Sequence, residues 1–222
     1  HAAIGKAIES LHAQRLEEFY EILAYHYTKG DSFEKAYQYL KLSGNKTTRN
    51  YSNWEAFRFY KEAIEVLKQL SDSRDNQRKQ IEVILLMSGP MMFLTYPEDS
   101  LRILEEGERL CKKLNDKKSI ATIYSLLGIY YMHRGKPLEA IKYSEIGFEE
   151  PRKLQDLELM GPIARGLCAS YLAAGKFQEA SDFAPMVIDL LEKAHKESDL
   201  FGAPFHTYSL LCAYYALSLA ML

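Results

Sequence analysis

Cysteine is scarce in this chain, and the three present, Cys111, Cys168 and Cys212, share no close spacing and fall inside helical patterns. That usage suits a reducing cytosol rather than a disulfide framework, so a cytoplasmic location is expected. Charge of one sign is also missing. With 28 Lys and Arg against 30 Asp and Glu, interspersed and summing to −2, no basic patch stands ready to neutralise phosphates, and no nucleic-acid partner is expected. No signal peptide leads the chain, which starts at His1 without an initiating Met and stops inside a helical pattern at Leu222. It is read as a piece of a larger protein. Asn45-Lys46-Thr47 and Asn50-Tyr51-Ser52 have the form of glycosylation sequons and are taken as chance matches in an intracellular setting.

Catalytic chemistry is equally thin. The six histidines (1, 12, 26, 133, 195, 206) show neither an H-E-x-x-H pattern nor Cys/His ligand spacing, so no metal and no cofactor are expected. SGNKTT at 43–48 has the end of a phosphate-binding loop without its leading glycine and spacer, and it reads as helix interior, where no N–H is free to hold an anion. Paired carboxylates such as Glu105/Glu106 and Glu149/Glu150 lie in helices rich in Lys and Arg and read as solvated faces, not as an acid and a base held at separate pKa values. A non-catalytic chain follows, with catalytic residues none. What remains is 47% apolar and 26% charged, ordinary for a globular protein with a substantial core.

The last segment, Phe201 to Leu222, contains no Asp, Glu, Lys or Arg and has the length of a membrane span. SLLCAYYALSL (209–219) nevertheless aligns with SLLGIYYMHRG (125–135), so the segment is better read as the first helix of another repeat than as a membrane contact. Without its second helix it should expose apolar surface and favour self-association.

The positive signal is that repeat. Leu23/Tyr27, Leu127/Tyr131, Leu167/Tyr171 and Leu211/Tyr215 each set a leucine one turn before a tyrosine, and LLGIYYMHRGKPLEA (126–140) matches GLCASYLAAGKFQEA (166–180) at an offset of forty residues. A fixed period of this size predicts stacked helical hairpins. Small residues after each leucine (Ala24, Gly128, Cys168, Cys212) allow close helix approach, and the tyrosine buries a ring while its hydroxyl finds a partner. Gly135 and Gly175 end the first helix, Pro137 opens the second, and Ala140 and Ala180 let it pack closely.

Tyr124, Leu127, Gly128, Tyr131, Gly135 and Ala140 resemble the tetratricopeptide pattern, most strongly over 121–195, with an earlier copy in Tyr20, Leu23, Ala24, Tyr27, Phe33, Ala36 and Leu40. Met87, Ser88, Met91, Pro97, Ser100 and Gly107 keep the offset in a drifted copy between them. The resemblance implies an all-α fold, a right-handed superhelical solenoid of antiparallel helix pairs, about ten to eleven helices, made by one domain over 1–222. Its parts are a leading helix (1–14), overlapping N-terminal hairpins (15–70), forty-residue repeats (73–195) and a truncated next repeat (201–222). Ala36 and Ala56 are only twenty residues apart, so 32–49 should serve both as second helix of one hairpin and as first helix of the next. His1, Ile4, Gly5, Ile8, Glu9, Leu23, Ala24, Tyr25, His26, Tyr27, Ala36, Tyr39, Leu40, Gly44, Ala56, Tyr60 and Ala63 resemble the stretch that follows the ATPase module in large bacterial signalling proteins carrying adenylate/guanylate cyclase or kinase domains.

In such arrays the first helices line a groove. The forty-residue register places Leu85/Ser125/Arg165, Gly89/Ile129/Ala169 and Met92/Met132/Leu172 in three rows along it. The rows are largely apolar, and the Lys/Asn/Arg clamp of chaperone-binding members is missing, so an amphipathic partner helix fits better than a C-terminal carboxylate. The alternative is that these residues contact neighbouring helices of the same array. The expected role is a protein-binding scaffold, with a protein or peptide helix or the parent's own upstream domains as partner; a small-molecule effector sensor is the second reading.

Overall fold

The computed structural model describes residues 1–202 and 205–222. Ala203 and Pro204, inside the 201–222 segment read above as a truncated repeat, lie outside the described residues. Among the described residues the chain is all-α. The elements are α1 (Ala2–Leu11), a 3-10 segment (Ala13–Phe19), α2 (Tyr20–Lys29), α3 (Phe33–Arg49), α4 (Asn53–Leu67), α5 (Arg74–Leu86), α6 (Ser88–Phe93), α7 (Ser100–Leu114), α8 (Lys117–His133), α9 (Pro137–Leu154), α10 (Leu157–Ala173), α11 (Phe177–Lys193) and α12 (Thr207–Ala220). Apart from the seven-residue 3-10 segment and the six-residue α6, each runs ten residues or longer, which makes eleven full α-helices and one short one among the described residues.

The chain forms two compact units, His1–Leu110 and Cys111–Leu222, with the boundary inside α7. In the first unit α1 packs on α2, α2 on α3, α3 on α4, and α4 on both α5 and α6. α3 is thus shared by two neighbours. A Cβ added at Gly5 would stand 2.8 Å from the Tyr27 ring, so the missing side chain is what lets α1 lie against α2. The core of this unit includes Leu23, Tyr27, Leu40, Tyr60, Leu67 and Ile84, each side chain of which contributes about 1.5–3 kcal/mol by leaving water. Pro90 explains why α5 and α6 are separate. A proline ring clashes with the carbonyl four residues back, which here belongs to Leu86, the last residue of α5.

In the second unit α8 packs on α9, α9 on α10, α10 on α11 and α11 on α12, while α10 also touches α8 and α12. First helices therefore neighbour first helices, the arrangement of stacked hairpins. Ala121, Phe148, Met160, Ile163, Ala164, Cys168, Val187, Leu191 and Leu211 make one continuous core. A smaller cluster of Ile141, Leu167, Tyr171 and Ala180 lies beside it.

The turns keep a meter. Most residues with left-handed backbone fall at Asp31 and Tyr51, then at Thr95, Asn115, Gly135, Gln155, Gly175 and His195, twenty residues apart within each series, with Tyr96, Phe201 and Gly202 outside it. Five residues after five of them sit Ala36, Ala56, Ser100, Ala140 and Ala180, all fully buried where a second helix meets its partner. Several helices begin on side-chain caps: Ser73 Oγ accepts from the Asn76 N–H, Asp116 Oδ1 from the Ser119 N–H, both at 3.1 Å.

Candidate partner-binding surfaces

The predicted groove residues fall in both units. Leu85 and Met92 are half-buried in the first, but Pro90 places them on different helices, α5 and α6, rather than on one first helix. In the second unit α8 carries Ser125, Ile129 and Met132, and α10 carries Arg165, Ala169 and Leu172. These two helices lie side by side. A Cβ built at Gly166 would stand 3.9 Å from Ile129 Cγ1, an ordinary contact distance, so the two helices adjoin here without crowding.

Ile129, Met132, Arg165, Ala169 and Leu172 are partly exposed. Ser125 is a correction: it is buried, because α9 closes over α8 at Gly147, where an added Cβ would stand 3.4 Å from the Ser125 amide nitrogen. Leu172 divides its surface, packing in part on the cluster of Ile141, Leu167, Tyr171 and Ala180. The Arg165 guanidinium sits 5.6 Å from the centre of the Phe205 ring, a cation–π contact with the segment before α12.

The repeat tyrosines pack around this surface. Leu127 and Leu167 are buried below it, and Tyr131 stacks on Tyr143 with ring centres 5.3 Å apart. Tyr171 is buried and donates its hydroxyl proton to Glu145 at 2.8 Å, so burial and that carboxylate both push its pKa up. Gly128 faces Ser144 and the Ala140 carbonyl so closely that α8 and α9 have no room for a side chain between them. In α12, Leu211 is buried and Tyr215 packs on the same core, while Leu217, Leu219 and, just past the helix end, Met221 are exposed.

Two of the thiols are buried. Burial raises the Cys168 thiol to about 12, and burial with the nearby Asp116 raises Cys111 likewise to about 12, so neither supplies a thiolate near neutral pH. SGNKTT lies inside α3, where the Thr47 and Thr48 hydroxyls donate to the carbonyls of Ser43 and Gly44 at 2.8 Å. Among the described residues no cluster of His, Cys, Asp or Glu could hold a metal, and no helix is long and apolar enough to cross a membrane.

A second surface escaped the sequence reading. Along α4 runs a cavity of about 780 Å³, walled at one end by Thr28 of α2 and Phe33 of α3, with Trp54, Phe57 and Val66 as its apolar floor and wall. Trp54 is 61% exposed and meets Phe57 edge to face at 6.4 Å. Phe57, Phe59 and Tyr60 of the same helix are buried. Trp54 lies on the first turn, one position off that buried stripe.

No family model matches the chain, and no curated protein matches it. Among solved structures, it is similar to a kinesin light chain from Podosopora anserina described as having nearly identical TPR-like repeats. The two are 21% identical, with 83% of this chain and 98% of that one covered and a TM-score of 0.48.

Proposed function

We propose that this chain is a non-catalytic helical-repeat scaffold that holds a partner protein helix against the face shared by α8 and α10. The observation that carries the reading is the pairing of two first helices, side by side, whose Ile129, Met132, Ala169 and Leu172 remain partly open to solvent. Apolar side chains of adaptable shape on adjoining helices suit the anchors of an amphipathic helix, and the thioether of Met132 tolerates an irregular partner. The resemblance of the first third to the stretch after the ATPase module of bacterial cyclase and kinase proteins supports a signalling parent, whose upstream module is then the natural partner.

The test is affinity capture by the folded chain from the parent organism's lysate, repeated with Met132→Glu and with Ala169→Glu. One protein, identified by mass spectrometry, should be retained by the wild-type chain and lost with both variants while their melting curves stay unchanged. Retention undiminished in both would place partner binding elsewhere on the molecule.

A further inference from the structure

The groove along α4 has a charge pattern that selects its occupant. Five ionic side chains line it: Glu55, Arg58, Lys61, Glu62 and Glu65. Four are already satisfied. Arg58 Nη1 bonds Glu62 Oε1 at 2.8 Å, Lys68 Nζ bonds Glu65 Oε1 at 2.7 Å, and Lys61 is paired with Asp99 from the segment before α7. Glu55 is the one groove-lining charge without a partner among the described residues, and it stands next to Trp54, the chain's single tryptophan. An uncompensated carboxylate beside an exposed indole is complementary to a cation that can lie on the ring face while pairing with the acid.

The dimensions define the rest of the ligand. From Trp54 to Val66 the groove follows about 18 Å of helix axis at about 1.5 Å per residue, room for roughly three turns of a second helix laid alongside. Phe33, Phe57 and Val66 supply apolar contacts at both ends, and the internal ion pairs between them need nothing further from a ligand. We infer that the α4 groove is a second docking site, distinct from the α8–α10 face, for an amphipathic helix that presents aliphatic anchors to Phe33, Phe57 and Val66 and an Arg or Lys to Trp54 and Glu55. This site lies wholly within His1–Leu110 and stands independently of the scaffold reading above.

Trp54 makes the site directly observable, because no other indole contributes to fluorescence. The full chain is titrated with a helical peptide lacking Trp and Tyr, with leucines at i, i+4 and i+7 and one arginine, and with its twin carrying glutamate in place of the arginine. The arginine peptide should blue-shift Trp54 emission saturably and bind about fivefold more tightly than the twin, the combined worth of one exposed cation–π contact and one exposed ion pair. Glu55→Lys, an exposed change that leaves the melt intact, should reverse the order of the two peptides. Equal affinity of the two, an order unchanged in Glu55→Lys, or no saturable shift with either peptide overturns the proposal. So does an equal shift from tetramethylammonium chloride at matched ionic strength, which would make the groove a site for small organic cations.

Discussion

The two compact units answer the same packing problem with different regularity. In Cys111–Leu222 the chain reverses every twenty residues through Asn115, Gly135, Gln155, Gly175 and His195, and adjoining first helices follow one another without interruption. In His1–Leu110 the same meter runs from Asp31 to Tyr51, then slips by four residues before resuming at Thr95, and the slip coincides with the broken pair α5 and α6. The irregular unit is the one that carries the α4 groove and Glu55, unpaired among the described residues. Where hairpins stack in strict register each face is covered by the next, whereas the α4 groove is walled by α4 itself with Thr28 and Phe33 at one end.

The sharpest way to break this comparison is to load the meter itself. Ala36, Ala56, Ser100, Ala140 and Ala180 are fully buried at equivalent points, so arginine at any of them forces a charge and a long side chain between packed helices. Ala140→Arg and Ser100→Arg should each cost about 3 kcal/mol or more by overpacking and charge burial, against about 0.5 kcal/mol for Leu138→Arg on the exposed side of α9. Urea denaturation followed by circular dichroism measures all three. If Ser100→Arg leaves the curve in place while Ala140→Arg collapses it, the drifted copy does not obey the meter and the units differ in kind rather than in degree.

These positions also show what could be read without the fold. Leu/Tyr pairs and the Gly–Ala spacing identify hairpins because helix approach and helix termination each demand particular residue types. Left-handed backbone at Gln155, Thr95 or Tyr51 was not legible, since those side chains carry no preference for it and packing on both sides imposes the turn. The break at Pro90 was missed because Pro151, Pro162 and Pro185 sit inside intact helices, so proline alone does not announce a boundary here. Among the groove residues, Ser125 was misplaced because a period locates a helix face only to within the breadth of a side chain, and α9 covers the edge of that face. Trp54 was not singled out, because periodicity locates apolar residues along a helix and cannot weigh their exposure.

A second contrast lies in how the repeat tyrosines are anchored. In the first unit the Glu9 carboxylate of α1 accepts from the Tyr27 hydroxyl at 2.7 Å, the Tyr39 hydroxyl at 2.5 Å and Lys35 Nζ at 2.6 Å. Burial by itself pushes the Glu9 carboxyl up, but the hydrogen bonds from Lys35, Tyr39 and Tyr27 together with the Lys35 charge outweigh it and hold the group below the ordinary glutamate range. The depressed folded value means that the stabilisation is fully present above the unfolded pKa of about 4.3 and is lost as pH falls through the folded value. Glu9→Gln should therefore destabilise the first unit by about 1–2 kcal/mol at pH 7, with the difference from wild type shrinking toward pH 3. Urea melts of both proteins across that range test it; a gap that stays constant with pH would assign the effect of Glu9 to shape rather than charge. Tyr171→Phe, which removes a bond to the exposed Glu145 of the second unit, should cost less, about 1 kcal/mol.

The smallest effects come from the turns, and they separate meter from composition. A non-glycine residue in the left-handed region is held there at a cost of roughly 1–2 kcal/mol, partly offset by the greater freedom glycine has in the unfolded chain. Gln155 occupies that region at φ 52° after α9, where its side chain is exposed, so Gln155→Gly relieves backbone strain without removing a packed group. It should stabilise the second unit by about 0.5 kcal/mol. Gly135→Ala, at φ 67° with nothing near the added methyl, should destabilise by about 1 kcal/mol for the converse reason. Tyr51→Gly makes the matching change in the first unit, at φ 58°. If Gln155→Gly and Tyr51→Gly raise the melting temperature alike, the same turn operates in both units, and the slip between Tyr51 and Thr95 is a local insertion in one repeating design. A gain confined to Gln155→Gly would mean that the side chain of Tyr51 contributes to the first unit something that the meter alone does not require.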